Sequence, residues 1–417
     1  MKIRQIIAVA LLFAAGGAQG QLPQDINVDL PEMYREIDEA IGNSPQYIAD
    51  YRAKLRKVED DLGQATNDEQ RLMLLTQLSD MYESFNADST LSYTRRSMKV
   101  AHALGMEDAA EDCQARIAYL CTFLGSQTEA LTILKNVDRA KLSKKGLISY
   151  YRAYALSYNY MSIYCKTPAM REESTQQYRL YMDSLLNAVP PESELYFRHR
   201  EPMLVEEGKL DEALKMNDKR LNLAEADSHD DAIIAYNRHT IYLRKGDMEM
   251  AKYWLCRSAL ADVRNAVMDQ TSLMSLAELL NSEGDTERAN RYIAFTWECN
   301  RRYSPNMRSW QMAPLFSAIE QNYETLFDMK GRLLTIWAVI ATILLIVLAV
   351  YLVTINKERK QLKKTHKELK ESNEQLEQTN HKLEWTHKKV MTNNTELIAL
   401  NKKLEEEIEA LKKKCGG

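Results

Sequence analysis

The chain has 417 residues, enough for two or three domains, and a net charge of −4 at pH 7. With 45% hydrophobic and 27% charged residues, the composition excludes a globally disordered chain, and the small net charge gives no reason to expect nucleic-acid binding. Only 14 glycines and 9 prolines are present, which argues against a turn-rich β sandwich or barrel. We therefore expect an all-α protein with long helices.

Residues 1–20 have the organisation of a secretory signal peptide. Lys2 and Arg4 form a basic region, an apolar run extends from Ile6 to Ala15, and small residues precede Gln21, a suitable cleavage site. The alternative is an uncleaved anchor helix, but the apolar run is short for a bilayer. The segment predicts export, which in a bacterium places the following domain in the periplasm.

The exported part shows helical periodicity, and we divide it into an N-terminal helical segment at 21–66 and a repeat region at 67–330. In the repeat region a glycine recurs five residues before an alanine, in LGSQTEAL, EGKLDEAL, KGDMEMAK and EGDTERAN. The four pairs are Gly125 with Ala130, Gly208 with Ala213, Gly246 with Ala251, and Gly284 with Ala289. The last three recur every 38 residues, and the 83-residue gap from Gly125 to Gly208 predicts a degenerate unit between them. Asn86, five residues before Leu91, indicates an earlier unit.

The spacing has a physical interpretation in pairs of helices. Glycine, or Asn86 in the earlier unit, is expected in the left-handed turn that ends a first helix, and the small alanine lets the second helix pack closely. A unit of this size cannot bury its apolar face alone, so five or six units are expected to stack into a solenoid. The pattern resembles tetratricopeptide repeats, and the resemblance implies a concave surface, made by the first helices, that binds a protein or peptide.

Four side chains are expected to face that concave groove. They are Tyr119, Arg198, Tyr236 and Arg244. The alternative is that the two tyrosines pack between helices and the two arginines are solvated, and the sequence leaves both interpretations open.

Residues 333–355 form an uncharged apolar stretch long enough to cross a bilayer as one helix. Trp337 and Tyr351 lie near its two ends, as interfacial aromatic residues often do. Two basic residues precede the stretch and five closely follow it, which places its C-terminal side in the cytoplasm. We predict a single transmembrane helix in the bacterial inner membrane.

Beyond the span, an apolar residue recurs every seven positions without a break. The series is Leu362, Leu369, Leu376, Leu383, Val390, Leu397, Leu404 and Leu411. With these residues at position d of a heptad, four a positions hold Asn373, Asn380, Asn394 and Asn401, which fix register and a two-stranded state at some loss of stability. Residues 356–415 are therefore predicted to form a parallel cytoplasmic coiled coil that joins two copies of the chain; a single solvated helix is the alternative.

Motifs for catalysis or metal binding are not found in the sequence. Five of the six cysteines lie in the exported part, without a C-x-x-C pair, and are expected to be buried thiols, with a disulfide framework as the alternative. The seven histidines do not have zinc-binding spacing, and phosphate loops and nucleophile motifs are missing. We expect no enzyme, no catalytic residues, no metal or cofactor, and no nucleic-acid contact.

Three further segments carry a family resemblance. They are MYREIDEAIGNSPQYIADYRAKLRKVEDDL, LSDMYESFNADSTLSYTRRSMKVAHALG, and the span followed by ERKQLKKTHKELKESNEQL. The chain resembles a family of bacterial single-span membrane proteins with periplasmic tetratricopeptide-like repeats and a cytoplasmic coiled coil. The resemblance implies a regulator, and it also implies a further C-terminal region, from which this chain departs at Gly417.

Three functions are compatible with these features. The first is a membrane-anchored sensor whose solenoid binds a protein or peptide and signals through the dimeric coil. The second is a scaffold that organises envelope complexes without signalling. The third is a degraded histidine kinase, which would need nucleotide binding that no motif supports.

Overall fold

The structure, a computed structural model, describes residues 28–304, 309–414 and 416, and for residues 309–312 it describes the helical backbone only. The predicted signal peptide and Cys415 lie outside this part of the chain. The described residues are almost entirely α-helical and contain no β-strand. This confirms the all-α expectation. The chain divides into two compact units, one up to Phe327 and one from Asp328 onward.

The described helices follow one another with short connections. Their bounds are α1 (Leu30–Gly63), α2 (Asp68–Tyr82), α3 (Ala87–Ala103), α4 (Glu107–Phe123), α5 (Gln127–Asn136), α6 (Lys144–Tyr164), α7 (Pro168–Ala188), α8 (Glu194–Glu206), α9 (Leu210–Leu221), α10 (His229–Lys245), α11 (Met248–Arg264), α12 (Thr271–Glu283), α13 (Thr286–Tyr303) and α14 (Ser309–Lys414). A short 3-10 turn, Arg139–Lys141, lies between α5 and α6.

Helices α2 to α13 pack as six pairs within residues 28–304: α2 with α3, α4 with α5, α6 with α7, α8 with α9, α10 with α11, and α12 with α13. This confirms a tetratricopeptide-like solenoid of five or six units. The degenerate unit expected between Gly125 and Gly208 is the pair α6 and α7. The five-residue spacing of glycine and alanine is missing from this pair because its helices are connected by Cys165, Lys166 and Thr167, without a glycine.

The turns of the four recognised repeats have the predicted geometry. The glycines at 125, 208, 246 and 284 have φ between 77° and 90°, which is the left-handed region. The alanines five positions later, at 130, 213, 251 and 289, are each fully buried. Asp247 and Asp285 begin α11 and α13 by accepting a hydrogen bond from a main-chain N–H three residues on. In these two repeats a glycine ends the first helix and an aspartate begins the second, whereas Ser126 and Lys209 precede α5 and α9 without a side-chain cap hydrogen bond.

Asn86 does not occupy a left-handed turn, and that prediction is wrong. Its backbone is extended, and its side chain begins α3 by accepting a hydrogen bond from the Ser89 N–H. It therefore corresponds to Asp247 rather than Gly246, and the buried small residue of its unit is Thr90, four positions on. An asparagine fits either role, so its spacing alone did not fix the register.

The first and last pairs of the solenoid contact each other. The Met268 main-chain N–H donates to the Ser84 carbonyl at 2.8 Å, and the Asn86 side-chain amide donates to the Arg302 carbonyl at 2.9 Å. The Tyr303 ring packs edge-on against Phe123, with ring centres 6.3 Å apart. The turn between α2 and α3 is therefore held by the connection after α11 and by the end of α13.

Helix α1 bridges the same two ends. Its C-terminal half places Leu55 in a buried cluster with Leu78 of α2, while its N-terminal half places Ile37 in another cluster with Leu276 of α12. An ion pair of 3.3 Å between Asp38 and Arg291 of α13 ties the N-terminal half further. The segment that the sequence marked only as helical is thus the element that links the first repeat to the last.

The start of α14 belongs to the first unit. Ile319 is fully buried in the cluster that contains Ile37, and Leu315 and Phe316 pack against that cluster. The Phe316 ring lies 5.2 Å from that of Trp297 on α13. This part of α14 is therefore anchored on the last repeat.

The second unit consists of the remainder of α14. Among the described helices, α14 alone is long and apolar enough to cross a membrane, and its apolar stretch is exposed in the chain by itself. The eight heptad residues from Leu362 to Leu411 are each at least half exposed. In the single chain, the apolar stretch and the leucine row, which consists of these eight heptad residues, are therefore both exposed.

Candidate functional site

A cavity of about 150 Å³ opens between α6, α7, α8 and α10. Three of these elements, α6, α8 and α10, are the first helices of successive pairs. The cavity therefore lies on the surface that first helices form, where the repeat pattern predicts ligand binding.

Three of the four candidate groove residues line this cavity. Arg198 reaches it from α8, and Tyr236 and Arg244 reach it from α10. Tyr119 is not a lining residue, but its hydroxyl lies 3.2 Å from Nη2 of Arg152, which lines the cavity from α6. The Arg152 guanidinium also lies over the Tyr119 ring, 4.5 Å from its centre.

The two tyrosines serve helix packing as well. Tyr119 belongs to the buried cluster of the first repeats and Tyr236 to the cluster that contains Ile37. From the sequence, lining the concave groove and packing between helices were alternative interpretations for these two tyrosines. For Tyr236 the structure combines them, because the ring is buried between helices and still borders the cavity.

Arg198 and Arg244 have different surroundings. Arg198 is 4% exposed, and it donates from Nε to Glu194 and from Nη2 to Asp230, each at 3.0 Å. Arg244 is exposed while it lines the cavity. The idea that both arginines are solvated is therefore wrong for Arg198, which is held in place by two carboxylates.

A buried ion pair that the sequence did not reveal lies beside the cavity. Glu201 of α8 accepts a hydrogen bond from Nη1 of Arg220 of α9 at 2.6 Å, and both side chains are almost completely buried. The Asn217 amide donates to Glu201 at 2.8 Å and to the Ile234 carbonyl at 3.0 Å. Burial raises the pKa of Glu201, and Arg220 opposes that rise. Residues this far apart on different helices have no common spacing that sequence reasoning could detect.

His199 is a further buried polar residue on the cavity wall. It is 2% exposed, and its Nε2 atom has no hydrogen-bond partner among the described residues. Burial lowers the pKa of His199 well below its usual value, and the positive charges of Arg152, Arg198 and Arg220 lower it further. At neutral pH the ring is therefore uncharged in a positive surrounding.

Within the described residues, no group of three or more His, Cys, Asp or Glu side chains is arranged to hold a metal ion. The cysteines that the structure describes are free thiols, and Cys121, Cys256 and Cys299 are buried. Burial raises the pKa of Cys121 to about 11 and that of Cys256 to about 12, which keeps both thiols protonated and unreactive.

Comparison with known families adds one match. The family described as the SusR N-terminal TPR domain, TPR standing for tetratricopeptide repeat, matches residues 41–314, about two-thirds of the chain. The chain belongs to this family. No curated protein matches the chain.

The part of the chain that matches the SusR N-terminal TPR domain contains α2 to α13 and all of the cavity. Stacked helical repeats of this type present extended surfaces on which other proteins bind. As a member of this family, the chain is a repeat protein of the protein-interaction class. The match does not extend over the apolar stretch or the heptads.

Proposed function

We propose that the chain is a membrane-anchored sensor. Its exported TPR domain binds a protein or peptide in the bacterial periplasm, and binding is transmitted through one inner-membrane span to a dimeric cytoplasmic coil. The observation that carries this proposal is the continuity of α14, because the apolar stretch 333–355 and the heptads from Leu362 to Leu411 lie in one unbroken helix.

Charge and length support the membrane part of the proposal. A helix of 23 residues is about 35 Å long, which covers a hydrocarbon core of about 30 Å. Lys357, Arg359 and Lys360 directly follow the apolar stretch, and basic residues favour the cytoplasmic side.

The leucine row supports a second copy as the partner of the coil. Its leucines are 50–71% exposed in the single chain, and an apolar stripe at seven-residue spacing is buried when two identical helices pair. Asparagine at four a positions suits a parallel pair in register, since the two amides can hydrogen-bond each other across the axis.

A pair of insertions after Asn356 tests the signalling step. One extra residue rotates the coil by about 100° relative to the span, whereas seven extra residues make almost two full turns and restore the original face. We expect the single insertion to alter the transcript profile of the native host and the seven-residue insertion to leave it close to wild type. Unchanged transcripts with both insertions would contradict signalling through the coil.

A scaffold is the second candidate, and the family match supports it because stacked helical repeats present surfaces on which other proteins bind. In that case the coil only holds two copies together. A chain that lacks residues 357–417 would then retain full function, and crosslinking in cells would capture periplasmic partners but no cytoplasmic protein on the coil.

A further inference from the structure

The apolar stretch at 333–355 carries a seven-residue repeat of its own. Divided into three successive sevens from Thr335, it reads TIWAVIA, TILLIVL and AVYLVTI. The second residue of each seven is Ile or Val, the fifth is Val or Ile, and the third is Trp, Leu or Tyr. Hydrocarbon surrounds a lone helix equally on all sides and is as apolar as leucine, so spanning a bilayer does not by itself require such a repeat. The pattern indicates that one face of the helix is distinct.

This repeat is in phase with the leucine row. Ile355, which ends the third seven, lies seven residues before Leu362, so the last residue of each seven continues position d and the fourth continues position a. Helix α14 is unbroken through this junction, so the same heptad register continues from the coil into the apolar stretch. The residues at a and d in the stretch are Leu334, Ala338, Ala341, Leu345, Leu348, Leu352 and Ile355.

The a and d face differs in composition from the rest of the stretch. It holds leucine and alanine, with Ile355 as the exception, whereas eight of the nine Ile and Val residues lie at positions b, c and f on the opposite face. All these side chains are apolar, so lipid does not distinguish the two faces. A neighbouring helix does, because small residues such as Ala338 and Ala341 let two backbones approach closely and leucines interlock across a heptad seam.

The period identifies the kind of neighbour. On a straight helix a seven-residue row drifts by about 20° per heptad, and a left-handed pair removes this drift by winding the two helices around each other. The d positions keep strict register and hold an apolar residue at every step from Leu334 to Leu411, which fits one continuous left-handed pair. A second copy of the chain has the same row at the same height in the membrane, as a parallel pair requires.

Polar groups on this part of α14 agree with an apolar partner face. Thr335 and Thr342 donate from their hydroxyls to the carbonyl oxygens of Gly331 and Ala338, at 2.9 and 2.8 Å, so neither needs an acceptor on another helix. The first charged residue at position a beyond the stretch is Arg359, four residues after its end. Its long side chain can extend to the lipid headgroups, so this charge lies outside the hydrocarbon.

We infer that two copies of the chain pair along the membrane span itself, through the a and d face between Leu334 and Ile355, in register with the leucine row. The inference rests on the proposed span and dimeric coil and specifies which face of the span the two copies share. Ala338 and Ala341 bring the two helices closest in the half of the span nearer the TPR domain in sequence, and the leucines at a and d interlock in the other half. A rotation of the paired span is then passed directly to the coil.

Cysteine scanning of the span tests this inference in the full chain in its own membrane. With Cys415 replaced by serine, each residue from 338 to 348 is changed in turn to cysteine, and the membranes are oxidised with copper phenanthroline. Two thiols form a disulfide when their Cα atoms lie within about 7 Å, so dimer should peak at 338, 341, 345 and 348, at about fivefold or more over Ile343→Cys at position f. The Cys415→Ser chain gives the background from the remaining cysteines, and Leu376→Cys reports on the coil separately.

Two outcomes would overturn the pairing of the span. Peaks with a spacing of four, at Ala338→Cys, Thr342→Cys and Ile346→Cys, would show a right-handed crossing out of phase with the coil. A level profile across the span, with strong crosslinking at Leu376→Cys, would show that only the coil is paired and would leave the proposed function intact. If neither the span nor Leu376→Cys crosslinks, the proposed dimeric coil fails, and the paired span fails with it.

Discussion

The hydroxyl of Tyr303, the last residue of α13, donates a hydrogen bond of 2.8 Å to the main-chain carbonyl of Glu83, directly after α2. The two residues are 220 positions apart in the chain. This bond joins the last repeat pair to the first and satisfies a carbonyl at the end of a helix, where the helix offers no partner.

Replacing Tyr303 by phenylalanine should remove this bond while keeping the ring against Phe123. We expect a loss of about 1 kcal/mol in the free energy of unfolding, and up to about 3 kcal/mol if the Glu83 carbonyl stays buried without a donor. Hydrogen exchange of amides 83–86 should accelerate, because the turn loses a tether. Tyr253→Phe, on the partly exposed face of α11, is the matched control and should leave that exchange unchanged.

Two glycine-to-alanine substitutions should change the free energy of unfolding in opposite directions. Gly246 has φ of +82° and an added Cβ would meet no atom within 4 Å, so Gly246→Ala should cost about 1–2 kcal/mol through backbone strain alone. Gly42 lies inside α1, also with open space around its Cβ position, so Gly42→Ala should stabilise by about 1 kcal/mol. Denaturant unfolding measures the stability of both variants. A loss of stability at both positions would contradict the explanation from backbone conformation.

Stability should fall as the pH decreases from about 6.5 to about 4 because of His239. Its Nδ1 lies 2.8 Å from the carbonyl oxygen of Ala251, and burial lowers the pKa of His239 from 6.5 to about 4. In this window the unfolded chain binds a proton that the folded chain does not, so acidification favours unfolding, by at most about 1.4 kcal/mol per pH unit. Above pH 6.5 the effect of this group is absent.

The measurement for His239 is the free energy of unfolding of the wild type and of His239→Gln across pH 4 to 8. The glutamine amide can still donate to the Ala251 carbonyl but does not titrate, so its pH slope should be shallower. His102→Gln, at an exposed position, is the control. If the slopes of wild type and His239→Gln coincide, His239 does not contribute to the acid sensitivity.

Disulfide crosslinking tests the predicted parallel coil. With Cys415 replaced by serine, Leu376→Cys at a d position should give a covalent dimer on mild oxidation of membranes, because d residues of two parallel helices meet at the axis. Gln378→Cys, at an f position on the outside, should crosslink far less. Gel mobility without reductant measures both, and equal crosslinking at the two positions would argue against the heptad assignment.

Sequence spacing predicted the local part of the fold well, because the repeats are defined by local chemistry. A glycine in a left-handed turn and an alanine at a close helix contact are separated by a fixed number of residues in the sequence, as Gly284 and Ala289 are. The same spacing also occurs between Gly105 and Ala110. Their turn has φ of +70° and lies between pairs rather than within one, so the motif marks a helix junction and not specifically a repeat.

The long-range part of the fold could not be predicted in this way. The contacts of Tyr303 with Glu83 and of Asp38 with Arg291 join residues that share no period, and such pairs are invisible without a structure. For the cavity, Arg198, Tyr236 and Arg244 were selected from repeat register, but His199, Glu201 and Arg220 were missed. A buried histidine and a buried ion pair resemble ordinary polar helix residues in the sequence, since burial depends on which helices pack against them.

The bridge formed by α1 has a consequence for how the domain is made. The hydroxyl of Tyr292 lies 3.3 Å from the carbonyl oxygen of Tyr34, across 258 positions of sequence, and the Ile37 cluster needs α12 and α13. In an open repeat array each unit folds on its neighbour as it emerges, but here the first helix keeps an apolar face uncovered until the last repeat has been synthesised. Contacts of such high sequence separation slow folding. The domain should therefore complete its folding as a whole only after α13 has been made, and truncations that remove α12 and α13 should leave α1 exposed to proteases.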